Sequence, residues 1–440
     1  MSRIPFRRSL AVFAVVLVAA EAVPCACAQG QQLAPLADLN KARIDKFARI
    51  AQMKTGNGAP VGAGDKEAID IEARFLVYRF TATPQDMPTF QRDARQFVDL
   101  VMSTENDKKN EAFRKQFGPA LAKSIRDVFD LPFADNRYAI TNLAHMLPVF
   151  ARMKDDKFGE YMVEILTDYG EEKGKALNKH DLIKMYAARA LREYFPVNCI
   201  SPDEENLGPN TARRKAHELL YVDALAKFIE RPGMDKLADD EKAAMHFIRR
   251  EVIETLAGAK APSIVAGTAK IEGPIAPTLL KVLAPKSGLD LKPQLPEKLE
   301  AAIGICNMNL KNSGEYQPEL GLHLVAMFVH EFAVEYNKDF AIFGEKDAAP
   351  KARMEWRIQS RRLEEALKEM SKNVKGQPIA TEAKRLEDYA TETFLRPMQG
   401  KKQTQITQGT LEPFRNEAMK LRPKNTQVYK TVKDYVITLE

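Results

Sequence analysis

Apolar positions along this chain recur at intervals of three and four for most of its length, and strand-like alternation is scarce. The spacing predicts helices in KEAIDIEARFLVYRF with Asp65 as cap, and in FQRDARQFVDLVM with Thr89 as cap. It predicts a helical stretch from Asn106 to Phe129 that kinks or stops at Gly118-Pro119. Further helices are predicted after Asp135, after Asn178 as far as Pro196, after Asp239 to about Gly258, and after Pro296. The stretch LAPLADLNKARIDKFARIAQMK can carry a short helix before GNGAPVGAG, a glycine-rich joint from Gly56 to Gly64. The fold class expected is all-α.

In four of these segments a small residue is followed four positions later by a large aliphatic one. Counting from Asn136, Lys184, Arg249 and Lys298, the third position on is Ala139, Ala187, Val252 or Ala301, and the seventh is Leu143, Leu191, Leu256 or Ile305. The starts lie 48, 65 and 49 residues apart, and the polar loop from Val197 to Asn210 accounts for most of the longer gap. A period near 48 lies just above the ~40–47 residues of HEAT and armadillo units. The segments NRYAITNLA, KMYAARALREYF, HFIRREVIETLAGAKAP and EKLEAAIGICNMN resemble successive segments of a family of secreted bacterial proteins of unknown function with HEAT-like helical repeats. The likeness runs from about Tyr78 to Leu367 and rests on packing motifs. What it implies is an α-solenoid-like array of helix pairs, with no catalytic residue to carry over. The loop at 197–210 and the proline-rich stretch from Ala284 to Pro296 make the expected array irregular.

The first thirty residues have a different pattern. Arg3, Arg7 and Arg8 precede the apolar run from Leu10 to Ala20, and small residues follow, the layout of a secretory signal peptide. Its apolar core is about half the ~20 residues of a membrane span. Cleavage is expected between Ala28 and Gln29, and lipid attachment at Cys25 or Cys27 is disfavoured by the residues before them. The organisation expected is a signal peptide at 1–28, a flexible N-terminal segment at 29–64, a HEAT-like array at 65–375 and a basic helical extension at 376–440. The mature chain is expected to be exported to the periplasm or the extracellular space, with no transmembrane segment.

Cleavage lowers the formal charge from +6 to +4, and residues 401–440 hold that whole excess. A globally basic, nucleic-acid-type surface is therefore not indicated. Of the cysteines, Cys199 and Cys306 remain; they allow one disulfide, while Cys306 also falls on a buried helical stripe with Leu299, Ala302, Ile303 and Leu310.

The stretch HLVAMFVHEFAVEYN (323–337) is the one place where histidines sit inside an apolar run. H-E-x-x-H places two histidines four apart so that one zinc meets both. Here His330-Glu331 lacks the second histidine, and His323 lies seven residues away, about 10.5 Å along a helix. Leu322, Val325, Ala326, Val329, Phe332, Ala333 and Tyr336 fill one broad face, which predicts a central core helix. Gly170–Ala176 lacks the spacing and the terminal Ser or Thr of a phosphate loop, and no nucleophile elbow occurs. The acid runs at Asp155-Asp156, Asp203–Glu205 and Asp239-Asp240 suit helix starts. No catalytic, metal or cofactor residue is assigned. The function expected is binding or scaffolding, with another polypeptide or an envelope component as partner. The rival is an α-helical hydrolase or lyase acting on a cell-envelope polymer.

Overall fold

The computed structural model describes residues 33, 35–82, 86–103, 109–168, 181–195, 209–266, 270–310, 315–343, 350–400 and 403–439. The signal segment with Ala28 and Gln29, the loop 197–208 with Cys199, and Gly170–Ala176 lie outside these residues. The described chain is all-helical in class, and its strand content is one hairpin, β1 (Ile264–Ala266) paired antiparallel with β2 (Lys270–Glu272). It divides into two compact units, residues 1–146 with 237–247, and residues 147–236 with 248–440.

The first unit holds α1 (Leu36–Asp45), α2 (Phe47–Thr55), α3 (Lys66–Tyr78), α4 (Met87–Val101), α5 (Glu111–Phe129) and the start of α6 (Phe133–Ala151). Helix α3 is its centre, with α1, α2 and α5 packed against it. Ile69, Ala73, Val77 and Phe80 are buried from one side, and Phe113, Phe117, Leu121 and Ile125 of α5 supply a second buried stripe. That stripe carries α5 on through Pro119, so of the kink or stop the sequence predicted, the stop does not occur. Burial of a continuous face outweighs the one ladder bond a proline removes. The expected caps also differ. Asp65 gives its carboxylate to Gly62 N and to Arg49, at 2.9 and 2.5 Å, in place of the start of α3. Helix α4 begins at Met87, two residues before Thr89. Gly56 ends α2 in the left-handed region at φ 67°, and Arg49 holds the glycine-rich stretch after it through the carbonyls of Ala59 and Pro60. Helix α6 has a break at Asn136 (φ −121°, ψ 15°), beside its predicted start.

The second unit holds α7 (Asp156–Thr167), α8 (Asp181–Arg192), α9 (Pro209–Ile229), the later part of α10 (Asp239–Ala257), α11 (Ile275–Leu283), α12 (Leu295–Cys306), α13 (Pro318–Phe343), α14 (Pro350–Asn373), α15 (Ala380–Ala390), α16 (Arg396–Gln399) and α17 (Gln408–Lys420). A π-helical turn, Thr391–Leu395, joins α15 to α16. Helices α7, α9, α11, α13 and α17 each pack on the next in that series, while α12, α14 and α15 form a second series. The small and large positions of the four-segment pattern are all buried. So are three of its reference residues, the cations Lys184, Arg249 and Lys298. Arg249 meets Glu297 at 2.5 Å and Lys298 meets Glu331 at 2.8 Å.

Helix α13 carries HLVAMFVHEFAVEYN, and each residue of its expected apolar face is buried. Its far end also fastens the C-terminal chain. The Tyr336 hydroxyl donates to Thr404 O, and Asn337 both donates to Ile406 O and accepts from Ile406 N.

Candidate binding groove

Three helices of the first unit each present a stripe that is neither cleanly apolar nor cleanly polar. On α1 it is Leu36, Ala37, Asn40 and Arg43, and on α4 it is Asp93, Gln96, Phe97 and Leu100. On α3 it is Glu72, Phe75 and Leu76, continued by Arg79 just past the helix end. Each set has the three-and-four spacing of a single helical face. Together with Lys54 of α2 they line a groove of about 690 Å³, within the range of small-ligand sites.

Phe75 is the floor of the charged half. The guanidinium of Arg43 lies 4.6 Å from its ring centre and that of Arg79 lies 5.3 Å from it. Arg79 also covers Phe90 at 4.3 Å, and the Lys54 ammonium sits 4.7 Å from the Phe97 ring. Such contacts orient a cation and leave its outer edge available for hydrogen bonds. Glu72 is buried and answers two cations: it accepts from Arg43 Nε at 2.5 Å and from Lys54. Burial pulls the Lys54 ammonium below its ordinary pKa, with Glu72 opposing. Asp93 accepts from Arg79 Nη2 at 2.6 Å. The lining therefore carries three cations against two carboxylates. Among the described residues Arg43 and Arg79 each donate one side-chain bond, which leaves the other N–H groups of both forks unspent. The apolar half ends at Leu100, which is 44% exposed.

The residues singled out in the sequence lie elsewhere. His323 is buried, and its Nδ1 donates to the Ala418 carbonyl at 2.9 Å, because a carbonyl oxygen only accepts. Burial lowers the pKa of both His323 and His330, with Arg415 adding to the effect on His330. Cys306 is buried with its sulfur 3.9 Å from Met370 Sδ, and burial pushes the thiol pKa well up. Among the described residues no group of three or more His, Cys, Asp or Glu is placed to hold a metal ion.

Sequence reasoning missed one polar cluster in the second unit. His217 of α9 has Nδ1 4.0 Å from Asp156 and Nε2 3.3 Å from Glu160, both on α7. The carboxylates address opposite ring nitrogens, so they bridge the ring instead of converging on one point beside it. Asp155 caps α7 through Phe158 N at 3.0 Å, and burial pushes its pKa up to about 6 against that bond. Tyr194 donates to the Asp155 carbonyl at 2.8 Å, and Tyr221 packs edge-on to Tyr194.

Comparison of the chain with protein-family models, with curated proteins and with solved structures gives no match. The groove has to be interpreted from its own chemistry. Among the described residues no helix is long and apolar enough to cross a membrane.

Proposed function

We propose that this is an exported, HEAT-like helical binding or scaffold protein whose partner, another polypeptide or an envelope component, docks in the groove of its first unit. The observation that carries this reading is the pair of part-spent guanidinium forks set against Phe75 beside the exposed Leu100. Support for the repeat architecture comes from the next-but-one packing of α7, α9, α11 and α13 and from the buried small and large positions of the four-segment pattern. Export rests on the N-terminal layout, and N-terminal sequencing of the mature protein is expected to begin at Gln29. The test of binding is crosslinking of the tagged chain in its native envelope, followed by recovery under denaturing conditions, with Leu100→Asp as control. A specific partner lost in that variant supports the reading. Absence of any crosslinked species, together with cleavage of an envelope polymer by the purified protein, refutes it.

One observation favours the hydrolase or lyase alternative, namely the raised Asp155 pKa next to Asp156 and Glu160, the two carboxylates that His217 meets. Loss of polymer cleavage in both Asp155→Asn and His217→Ala would establish it.

A further inference from the structure

We infer that the groove of the first unit is a carboxylate-recognition site that takes a short polypeptide segment through an acidic side chain flanked by apolar ones. The inference rests on the binding role proposed above and specifies its ligand.

Three features of the lining lead to a carboxylate. First, the lining holds three cations against two carboxylates: Glu72 answers both Arg43 and Lys54, and Asp93 answers Arg79, with Arg92, outside the lining, 3.7 Å from its other oxygen. A single negative charge completes the set, whereas a dianionic phosphate overshoots it. Second, Glu72 and Asp93 each hold one guanidinium and fix its plane, and the Phe75 ring supports both. The remaining N–H groups are thus pre-oriented, and a planar fork matches a carboxylate geometrically. Third, the two arginine side chains are 22% and 16% exposed, so an incoming acid meets them partly desolvated, where a charge-assisted bond is stronger than at an open surface.

The apolar half decides the rest of the ligand. Leu76, Phe97 and Leu100 also line the groove, with Leu100 the exposed one of the three. Side chains next to the acid in sequence would cover Leu100 and shield the new ion pair from water. The groove runs between helices, and at about 690 Å³ it suits a few residues of a chain and not a single small anion.

The test uses the mature full-length protein and an amidated, fluorescein-labelled peptide, Gly-Leu-Phe-Glu-Leu-Gly, read by fluorescence anisotropy. The same peptide with Gln or phosphoserine in place of Glu, and vesicles of phosphatidylglycerol, are run beside it. The Glu peptide is expected to bind at least tenfold tighter than the Gln peptide and tighter than the phosphoserine peptide. Arg79→Lys keeps the charge and removes the fork; it is expected to abolish most of the Glu-over-Gln preference, with circular dichroism unchanged. Leu100→Ser, at an exposed position, is expected to weaken both peptides alike. Equal binding of Glu and Gln peptides overturns the inference, and so does preference for phosphoserine or for the vesicles. The peptide comparison alters no residue of the protein, so it decides the matter even where a variant misfolds. If envelope crosslinking yields a partner lost in Leu100→Asp while Glu and Gln peptides bind equally, the carboxylate inference fails and the binding role stands. If the crosslinking also yields nothing, both fail.

Discussion

Arg249→Met tests whether the buried cations of the second unit are structural. Both Arg249 and Glu297 side chains are 1% exposed, with Nε of the arginine 2.5 Å from Oε1 of the glutamate. Arg249 Nη1 also donates to Leu291 O at 2.8 Å, and the second Glu297 oxygen accepts from Gln294 N at 2.7 Å as the start of α12 is capped. Methionine keeps the stem as far as the position of Nε and removes the rest of the guanidinium with its charge. Glu297 is then left buried beside an apolar neighbour, and Leu291 loses a donor. Breaking a buried pair from one side costs about 3–5 kcal/mol, and a substantial part of that is the stranded charge.

The decisive comparison is with Arg249→Met/Glu297→Gln. Glutamine still accepts from Gln294 N, so the cap survives while the charge is gone. The double variant should therefore be more stable than the single by about 2 kcal/mol, since it removes the stranded charge, a substantial part of the single's cost, while Leu291 O stays without its donor. Trp356 is the chain's sole tryptophan, is 4% exposed, and packs edge-on to Phe332 and Tyr336 at 4.9 and 5.4 Å. Its fluorescence during urea unfolding therefore reports the second unit directly. A single variant within about 1 kcal/mol of the parent, which is the scale of an ordinary net hydrogen bond, would refute the reasoning. So would a double variant less stable than the single.

The remaining predictions concern α7 and α13. The folded state holds the Asp155 proton up to a pKa of about 6, above the 3.8 of an exposed aspartate. Its contribution to stability is thus full below pH 4 and lost as pH rises to 6, by up to about 3 kcal/mol. Asp155→Asn should lack that slope, and parallel urea midpoints for parent and variant between pH 4.5 and 7 would count against it. An alanine Cβ at Gly159 would stand 2.1 Å from the Tyr221 hydroxyl, and Tyr221 is buried. Gly159→Ala should cost about 1–3 kcal/mol despite its better helix propensity, and Tyr221→Phe in the same chain should restore only part of it, because the ring Cζ still stands 2.8 Å from the new Cβ. Val329 is fully buried on α13, so Val329→Asp should unfold the second unit; a Trp356 signal like the parent's in that variant would contradict its place in the core.

How much of this was legible in the sequence depends on the range of the interaction. Helix positions and the buried face of α13 follow from spacings of three and four, which a few neighbouring residues fix by themselves. Helix starts were read less well at Asp65 and Thr89. A cap is decided by which donor the side chain reaches, and Arg49, sixteen residues earlier, takes Asp65 first. The buried cations were invisible for the same reason. Lys184, Arg249 and Lys298 occupy one position of the four-segment pattern, and on charge alone they read as solvated. Arg249 is buried because Glu297, 48 residues on, meets it there.

The groove shows where a usable signal remained. Its charges are set by pairs that span up to 29 residues, which local periodicity does not register. Yet Glu72, Phe75, Leu76 and Arg79 form one helical stripe mixing an acid, a base and an aromatic, and Asp93, Gln96, Phe97 and Leu100 form another. A stripe destined for the core is seldom charged at both ends, and a solvated stripe seldom carries a phenylalanine and a leucine at its centre. Two such mixed stripes on neighbouring helices can satisfy each other's charges while leaving apolar surface open between them. The structure arranges α3 and α4 in that way, with Arg79 crossing to Asp93 and Leu100 left at the rim. The physical signature of the proposed docking surface is therefore the mixture itself, and it is read by asking which helical faces neither the core nor the solvent would claim.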